Sequence, residues 1–373
     1  MFIALHEIRR AWVRFALVVT AIGLLVFLIL FQQTLQSGLI TSFVGAIEHQ
    51  SSPVLVYSVD GLCNLEGSVI LPDVEQDVRS VDGVGVAGRI GQGTFSVRAG
   101  GQTTSAAIVG FEDPRVGAPT TLVSGRMAAA DGEAVALESS ADEGFGLGDT
   151  VRVEPGGLEL RIVGQASEIG LHASPTLFTT YGTLEEVLAS SNPAARGLAP
   201  AAIGVIPEGG VSDAQLVERI DRAVPDAEAL TRADAVTSTP GVAQIQQSFR
   251  LIFLLYGLVI PLVTGMFFLI LTLQKAQSLT LLRAVGASAG YLIWSLLIQV
   301  VTVMVLGIGL AVAMYTPLSS RRLGGLPLTF QTGAVVFWAV ALLVLGILSA
   351  LVSMRRVLRI QPIEAITGAG VTA

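Results

Sequence analysis

The sequence predicts an α-helical membrane protein with four transmembrane helices and an α+β domain inserted between the first and the second. Three observations carry this prediction. Only 14 % of the 373 residues are charged and the mean hydropathy is +0.69, whereas a soluble domain carries roughly 25 % charged residues. Four mostly apolar stretches, 15–31, 251–273, 291–316 and 332–354, contain no Asp, Glu, Lys or Arg, and a span needs about 17–25 such residues. Between the first and second stretches, residues 32–249 hold 11 Arg against 27 acids, a net charge of about −16, enough chain for an independently folding domain.

Residues 1–14 form an N-terminal segment with Arg9, Arg10 and Arg14 against one acid, Glu7. Basic residues cluster on the cytoplasmic side of short loops, so this segment is expected inside. Trp12 and Phe31 mark the interfaces of the first span. A cleaved leader would need a small-x-small site after Phe31, but the chain continues QQTLQSGLITSF. The span is therefore read as a retained anchor in the cytoplasmic (inner) cell membrane.

Residues 32–249 are expected outside, as a stalk and an α+β domain. Leu35, Leu39, Phe43 and Ile47 recur every four residues, a narrow apolar stripe suited to packing against another helix. Residues 241–250, GVAQIQQSFR, lead back to the membrane in the same way. Two segments read as strand–helix–strand. One is PVLVYSV, DVEQDVRSV and GVGVAGRI; the other is AAIGVIP, SDAQLVERIDRAV and DAEALT. Between them, about 91–182 alternates apolar and polar residues amid glycines, as a β-rich insert does.

Span two, 251–273, contains Pro261 and Gly265, a candidate hinge. The loop 274–290 carries Lys275 and Arg283 with no acid, which places it inside. Residues 317–331 return outside, although Arg321 and Arg322 make this loop an exception to the charge rule. The tail 355–373, with Arg355, Arg356 and Arg359 against Glu364, is expected inside. Within the spans, small residues stand four apart at Gly309/Ala313 and Gly346/Ala350, which permits close helix packing. No span contains an ionisable residue, so no proton relay or gating-charge array is predicted.

Several motifs dissolve on inspection. GASAG at 286–290 matches the G-x-S-x-G elbow of serine hydrolases, but no histidine follows Ser288 and the preceding SLTLLRAV is helical in pattern. GVGVAG at 83–88 matches G-x-G-x-x-G, yet a helix precedes it and a strand follows, the reverse of the dinucleotide-binding order. Its glycines are read as turns. Lys275 is the only lysine and Ala276 follows it, so a phosphate-binding P-loop is excluded. Cys63 and three scattered histidines offer no metal-ligand spacing, and a lone cysteine excludes an intramolecular disulfide. The acidic outer surface disfavours nucleic acid.

The segment QKAQSLTLLRAVGASAG at 274–290 places Leu279, Leu282 and Val285 on one apolar face of a short helix. Such a helix can lie among lipid headgroups or dock in a groove of a cytoplasmic partner. LLRAVGAS resembles the cytoplasmic segment of the FtsX-like and MacB-like permeases of ABC transporters. QPIEAI at 361–366 resembles that family's ending after the last span. ALESSADEGFGLGDTVRV, LELRIVG and VSDAQLVERIDRAVPDAEALT are similar to its external core, here a MacB-like periplasmic core. The one-plus-three order of spans agrees.

The resemblance implies a permease subunit without enzymatic activity of its own, with ATP and Mg held by a partner ATPase and no cofactor in this chain. The family motif carries over onto Leu282, Arg283, Ala284, Gly286 and Ala287, the centre of a coupling helix that also takes in Ser278 and Leu279. Relatives often have an acidic residue where Ser278 stands, so the contact to the ATPase is expected to differ there. The implied partners are an ABC ATPase subunit, a second copy or a related permease, membrane lipid, and an extracytoplasmic adaptor or lipoprotein. The large outer domain favours export by mechanotransmission. The alternative is a non-transporting regulator that activates a cell-wall hydrolase or a sensor.

Overall fold

A computed structural model describes residues 12–194, 197–274, 289–318, 322–323, 326–327 and 330–358. The chain divides into two compact units. Among the described residues, four helices are long and apolar enough to cross a membrane, with windows at Phe15–Glu48, Val242–Phe267, Leu297–Tyr315 and Thr332–Ser349. The expected fold class is borne out: four such helices with an α+β domain between the first two. The chain is a multi-pass membrane protein.

The helical unit is built from α1 (Trp12–Glu48), α6 (Val242–Gln274), α7 (Ala289–Tyr315) and α8 (Thr332–Leu358). Helix α1 buries Phe15, Val18, Ile22, Val26 and Ile29 against Ile260 of α6, Val303 and Met304 of α7, and Leu342 of α8. Leu251, Leu254, Leu258 and Leu262 of α6, and Val336, Phe337 and Val340 of α8, remain exposed. In a lipid solvent these faces need no protein cover. A Cβ on Gly307 would lie 2.8 Å from Cγ2 of Ile22, and one on Gly23 would lie 3.0 Å from Cδ2 of Leu310. The close approach of α1 and α7 is therefore made by Gly23 and Gly307. Gly309, expected at such a contact, faces open space, while Gly346 packs on Met304.

The second unit spans 37–247, with residues 323–327 grouped to it. Its strands are β1 (Val54–Ser58), β2 (Val84–Ala99), β3 (Gln102–Phe111), β4 (Leu122–Gly125), β5 (Glu133–Leu137), β6 (Thr150–Glu154), β7 (Glu159–Ala166), β8 (Thr176–Thr180), β9 (Ala202–Pro207) and β10 (Ala227–Thr231). Its helices are α2 (Pro72–Ser80), α3 (Tyr181–Ser191), α4 (Asp213–Ala223) and α5 (Arg232–Ser238). The two strand–helix–strand segments interleave: the order β10-β1-β9-β2 is antiparallel throughout, the arrangement of a split β-α-β sheet. Val54 and Val56 face α2 and α4, whereas Leu55 and Tyr57 face the end of α1 and α5. A strand covered on both faces reads as an unbroken apolar run, which is why PVLVYSV shows no alternation. Helix α4 starts at a capping box in which Ser212 and Gln215 bond each other's main chain.

The β-rich insert has no boundary at residue 91. Strand β2 runs uninterrupted from Val84 to Ala99, pairing β9 along its first half and β6 along its second. From there the pairings β2-β3, β3-β8, β8-β5, β5-β7, β7-β6 and β6-β2 close a six-stranded barrel. Its interior holds Val97, Ile108, Phe145, Val151, Leu160 and Leu177 among small alanines, and closure leaves these strands no free edge for pairing with another chain. Within GVGVAG only Gly83, at φ +98°, makes a turn; Gly85 and Gly88 lie inside β2. A Cβ on Gly88 would meet Val116 at 2.5 Å, so that glycine answers to packing rather than to a ligand.

Glu133 opens β5 and accepts hydrogen bonds from the Arg126 guanidinium and from the N–H groups of Ala129 and Ala130. The Arg126 bonds first, then these amides, hold its carboxyl down at about 2. Its stabilising effect is complete above the unfolded carboxylate value of about 4.3 and is lost as pH falls from there through about 2. Glu133→Gln should lower the melting temperature of the second unit by about 1–2 °C at neutral pH, a modest effect for a solvent-screened pair. Melting curves should converge with wild type only below about pH 2; a gap that persists there would contradict this account.

Candidate functional site

The most specific local arrangement in the second unit is where α1 ends. Thr41, Val44, Ala46 and Ile47 of α1 are buried in the domain core beside Leu55, Tyr57 and Leu171. The segment 168–174 lies along this last stretch of helix and bonds it main chain to main chain. The Ala46 N–H donates to the Gly170 carbonyl at 3.0 Å. In return the His172 and Ala173 N–H groups donate to the carbonyls of Phe43, at 3.1 Å, and Ser42, at 2.8 Å. Backbones approach this closely only without side chains between them. A Cβ on Gly45 would lie 2.2 Å from the Glu168 carbonyl oxygen, and one on Gly170 would lie 2.9 Å from Cα of Ser42.

The segment reaches this position through three non-glycine residues in the left-handed region: Glu168 at φ 60°, His172 at 52° and Ala173 at 53°. Such conformations cost of order 1–3 kcal/mol each and persist only where the surroundings over-determine them. Here the three main-chain bonds and the buried Leu171 supply that constraint. Side chains add polar contacts: His49 Nε2 stands 3.6 Å from Glu168, and His172 Nδ1 stands 3.3 Å from Glu66.

Beyond the helix, the chain is tied on two further sides. His49 accepts from both the N–H and the hydroxyl of Thr120 at 2.8 Å, and Ser51 donates to Ala118 at 2.9 Å. The Arg232 side chain donates to the Gln50 carbonyl at 2.8 Å, and its N–H donates to Pro53 at 2.9 Å. Arg232 opens α5, the last element before α6. Outgoing and returning chains are thus hydrogen-bonded to each other within this unit.

The stripe expected to carry stalk packing divides within the chain. Ile47 is 3 % exposed and in the core, Leu35 and Leu39 are half-buried, and Phe43 is 38 % exposed. The buried line runs instead through Thr34, Gly38, Thr41 and Val44. Among the helices, Thr34 and Tyr315 share a buried hydrogen bond joining α1 to α7. Pro261 lies inside α6, where it leaves the Gly257 carbonyl without its usual donor. Ser349 of α8 donates to the Pro261 carbonyl at 2.7 Å, so the candidate hinge is bonded to a neighbouring helix, and Gly265 is buried one turn further on. Ser278, Leu279, Leu282, Arg283, Ala284, Gly286 and Ala287, as well as the QPIEAI tail, lie outside the described residues.

Cys63 is buried, and burial first, then the neighbouring Glu228, pushes its thiol up to about 11. Among the described residues no group of three or more His, Cys, Asp or Glu could hold a metal ion. Sequence reasoning missed the 168–174 segment, Gln50 and Arg232. SEIGLHAS has neither helical nor strand periodicity, and its role rests on residues more than a hundred positions away.

No known family profile matches the chain. A protein of Staphylococcus haemolyticus named as a hemin transport system permease, HrtB, is 28 % identical over 123 residues, 33 % of this chain and 35 % of the relative. A protein of the same name from Staphylococcus epidermidis is 24 % identical over 111 residues, 30 % of this chain and 32 % of the relative. The chain thus aligns with about a third of the length of these curated relatives. Among solved structures, the periplasmic region of MacB from Actinobacillus actinomycetemcomitans matches with TM-score 0.38 and 14 % identity, over 52 % of this chain and 95 % of that one. The extracellular domain of the noncanonic ABC-type transporter YknZ from Gram-positive bacteria matches with TM-score 0.35 and 11 % identity, over 48 % and 99 %. The permease name of the staphylococcal relatives agrees with the resemblance read from the sequence.

Proposed function

We propose that this chain is the permease subunit of an ABC-type export complex that works by mechanotransmission. The observation that carries the reading is α1. One helix, Trp12–Glu48, supplies a membrane span and also the end that main-chain bonds clamp to the outer domain. A displacement of that span has a covalent path to the domain, and the pairing of Gln50 and Pro53 with Arg232 ties the return path to it. Apolar spans without ionisable residues suit packed bodies that move together better than a polar pathway.

On this reading, the ATPase binds ATP and Mg in a separate chain and pushes on the cytoplasmic segment 274–290, with Arg283 and Leu282 at the centre of the contact. Pro261 and Gly265 take up the change of angle in α6. Both termini face the cytoplasm and the acidic domain faces outward. A second copy or a related permease completes the assembly, with membrane lipid around it and an adaptor or lipoprotein on the outer domain. Hemin, the solute in the relatives' names, is the first substrate to test.

The test begins with gentle detergent purification of the tagged chain from its own host and identification of co-purifying proteins. A stoichiometric ABC ATPase is expected. Arg283→Glu should insert normally yet lose the ATPase and any hemin tolerance that the wild type confers. If no ATPase is recovered even with ATP trapped by a hydrolysis-dead variant, the permease reading fails. An ATPase that co-purifies with a chain moving no solute would favour the regulator instead.

A further inference from the structure

On β2, β6 and β7 the barrel presents an outward face with a charge pattern its stability does not call for. Side chains alternate there: Val97, Val151, Val153, Leu160 and Ile162 point inward, while Arg98, Arg152 and Arg161 are exposed. Arg98 and Arg152 are register partners across β2 and β6. Like charges directly opposite one another destabilise a sheet, and a domain with 27 acids has carboxylates to place beside them. Glu154 pairs with Arg98 at 2.8 Å. Glu159 stands opposite Arg152 on β7, yet neither Arg152 nor Arg161 forms an ion pair among the described residues. Arg161, opposite Thr150, is the diagonal neighbour of Arg152, which sets their Cα atoms about 7–8 Å apart.

Arg152 is nonetheless seated. Its guanidinium lies over the β6–β7 turn, where a Cβ on Gly157 would come within 3.1 Å of one of its terminal nitrogens. Gly157 is at φ +74° and Gly156 is wedged against Ser190 of α3, where a Cβ would meet backbone at 2.5 Å. Gly156 is thus required by the backbone it abuts and Gly157 by its left-handed φ. Next to the guanidinium is an open pocket of about 340 Å³ lined by Ser96, Arg152, Glu154, Pro155 and Gly157. It offers a planar fork of donors and a hydroxyl, the groups that bind a phosphate oxyanion in two-pronged fashion.

We propose that this face is a binding site for a phosphate group, held by Arg152 and Ser96 with Arg98 and Arg161 supplying the surrounding positive field. Glu133, opposite Arg161 on β5, is held by Arg126, so four guanidinium groups stand here against three carboxylates, a net positive face that favours an anion. The phosphate is carried either by a soluble monoester or by a lipid headgroup. The site is independent of the permease reading, since it uses no residue of the coupling segment or of the α1 joint.

Hydrogen–deuterium exchange on the full chain tests it, read at the turn amides of Val153 and Gly157, which bond the Leu158 and Val153 carbonyls. In maltoside micelles at constant ionic strength, one arm adds about 10 mM inorganic phosphate against chloride; the other uses mixed micelles containing phosphatidic acid. Exchange at the turn should slow by about threefold or more in at least one arm. Slowing in the first arm alone assigns a soluble phosphate, and in the second alone a lipid headgroup. Arg152→Ala and Arg161→Ala should each abolish the effect, Arg152→Lys should weaken it, and Arg222→Ala on α4 should leave it intact. Unchanged exchange elsewhere in the barrel would show that the variants are folded. No slowing in either arm, or equal slowing in Arg152→Ala, overturns the proposal.

Discussion

Gly45→Ala should weaken the second unit although alanine is the better helix former. Helix propensity alone would favour the substitution by about 1 kcal/mol. Against that, the new methyl would have to occupy a point 2.2 Å from the Glu168 carbonyl oxygen and 3.1 Å from the Gly170 nitrogen. Those neighbours are backbone, held by the bonds that Ala46, His172 and Ala173 make across the joint. Relieving the clash means parting helix from segment, and overpacking of this kind costs about 3 kcal/mol. The net loss of about 2 kcal/mol corresponds to roughly 4–8 °C in the unit's melting temperature. Gly209→Ala is the control, because that position has open space and an ordinary φ; its effect should stay within about 0.5 kcal/mol. Calorimetry of the purified full chain separates the outcomes, and a Gly45→Ala protein that melts like wild type would mean the joint does not pack as described. A transport assay adds a second readout: on the mechanotransmission reading, Gly45→Ala loses export at temperatures where both units remain folded.

The second large effect is expected in the membrane. Gly307→Val places side-chain atoms where Cγ2 of Ile22 already stands, 2.8 Å from the new Cβ, with the Val19 carbonyl 3.4 Å away. The helices must separate, and the core that joins Ile22 and Val26 to Val303 and Met304 loses its contacts. The expected cost is about 2–3 kcal/mol. Separation would also strain the buried Thr34–Tyr315 hydrogen bond. Trp338, packed 5.5 Å from Phe253, reports on the helical unit by its fluorescence during titration with a denaturing detergent. Gly307→Val should unfold at lower detergent than wild type, while Gly309→Val, pointing into open space, should not. If Gly309→Val is the more damaging of the two, the assignment of faces on α7 is reversed.

These expectations separate what local sequence can encode from what it cannot. Moving a charge or an unpaired peptide group into hydrocarbon costs several kcal/mol. A span must therefore be an uninterrupted apolar run, and four such runs were readable without any structure. The strand–helix–strand segments were readable for a similar reason. The amphipathic DVEQDVRSV and the capping box at Ser212 and Gln215 satisfy their requirements within a dozen residues. The coupling residues around Arg283 came from family resemblance and stand as a proposal.

What the sequence by itself determined, then, is the number of spans, the acidic domain between the first two, and its mixed α and β content. The tertiary structure alone decided which small residues matter. Gly307 and Gly309 are two positions apart, about 200° around a helix, so only one can face α1. In lipid both faces of α7 are apolar, and no polarity pattern fixes the helix's rotation. Gly45 and Gly170 are likewise unmarked in sequence. Their importance comes from two backbones meeting across 125 residues of intervening chain, and that depends on how the barrel closes and returns the 168–174 segment to the helix.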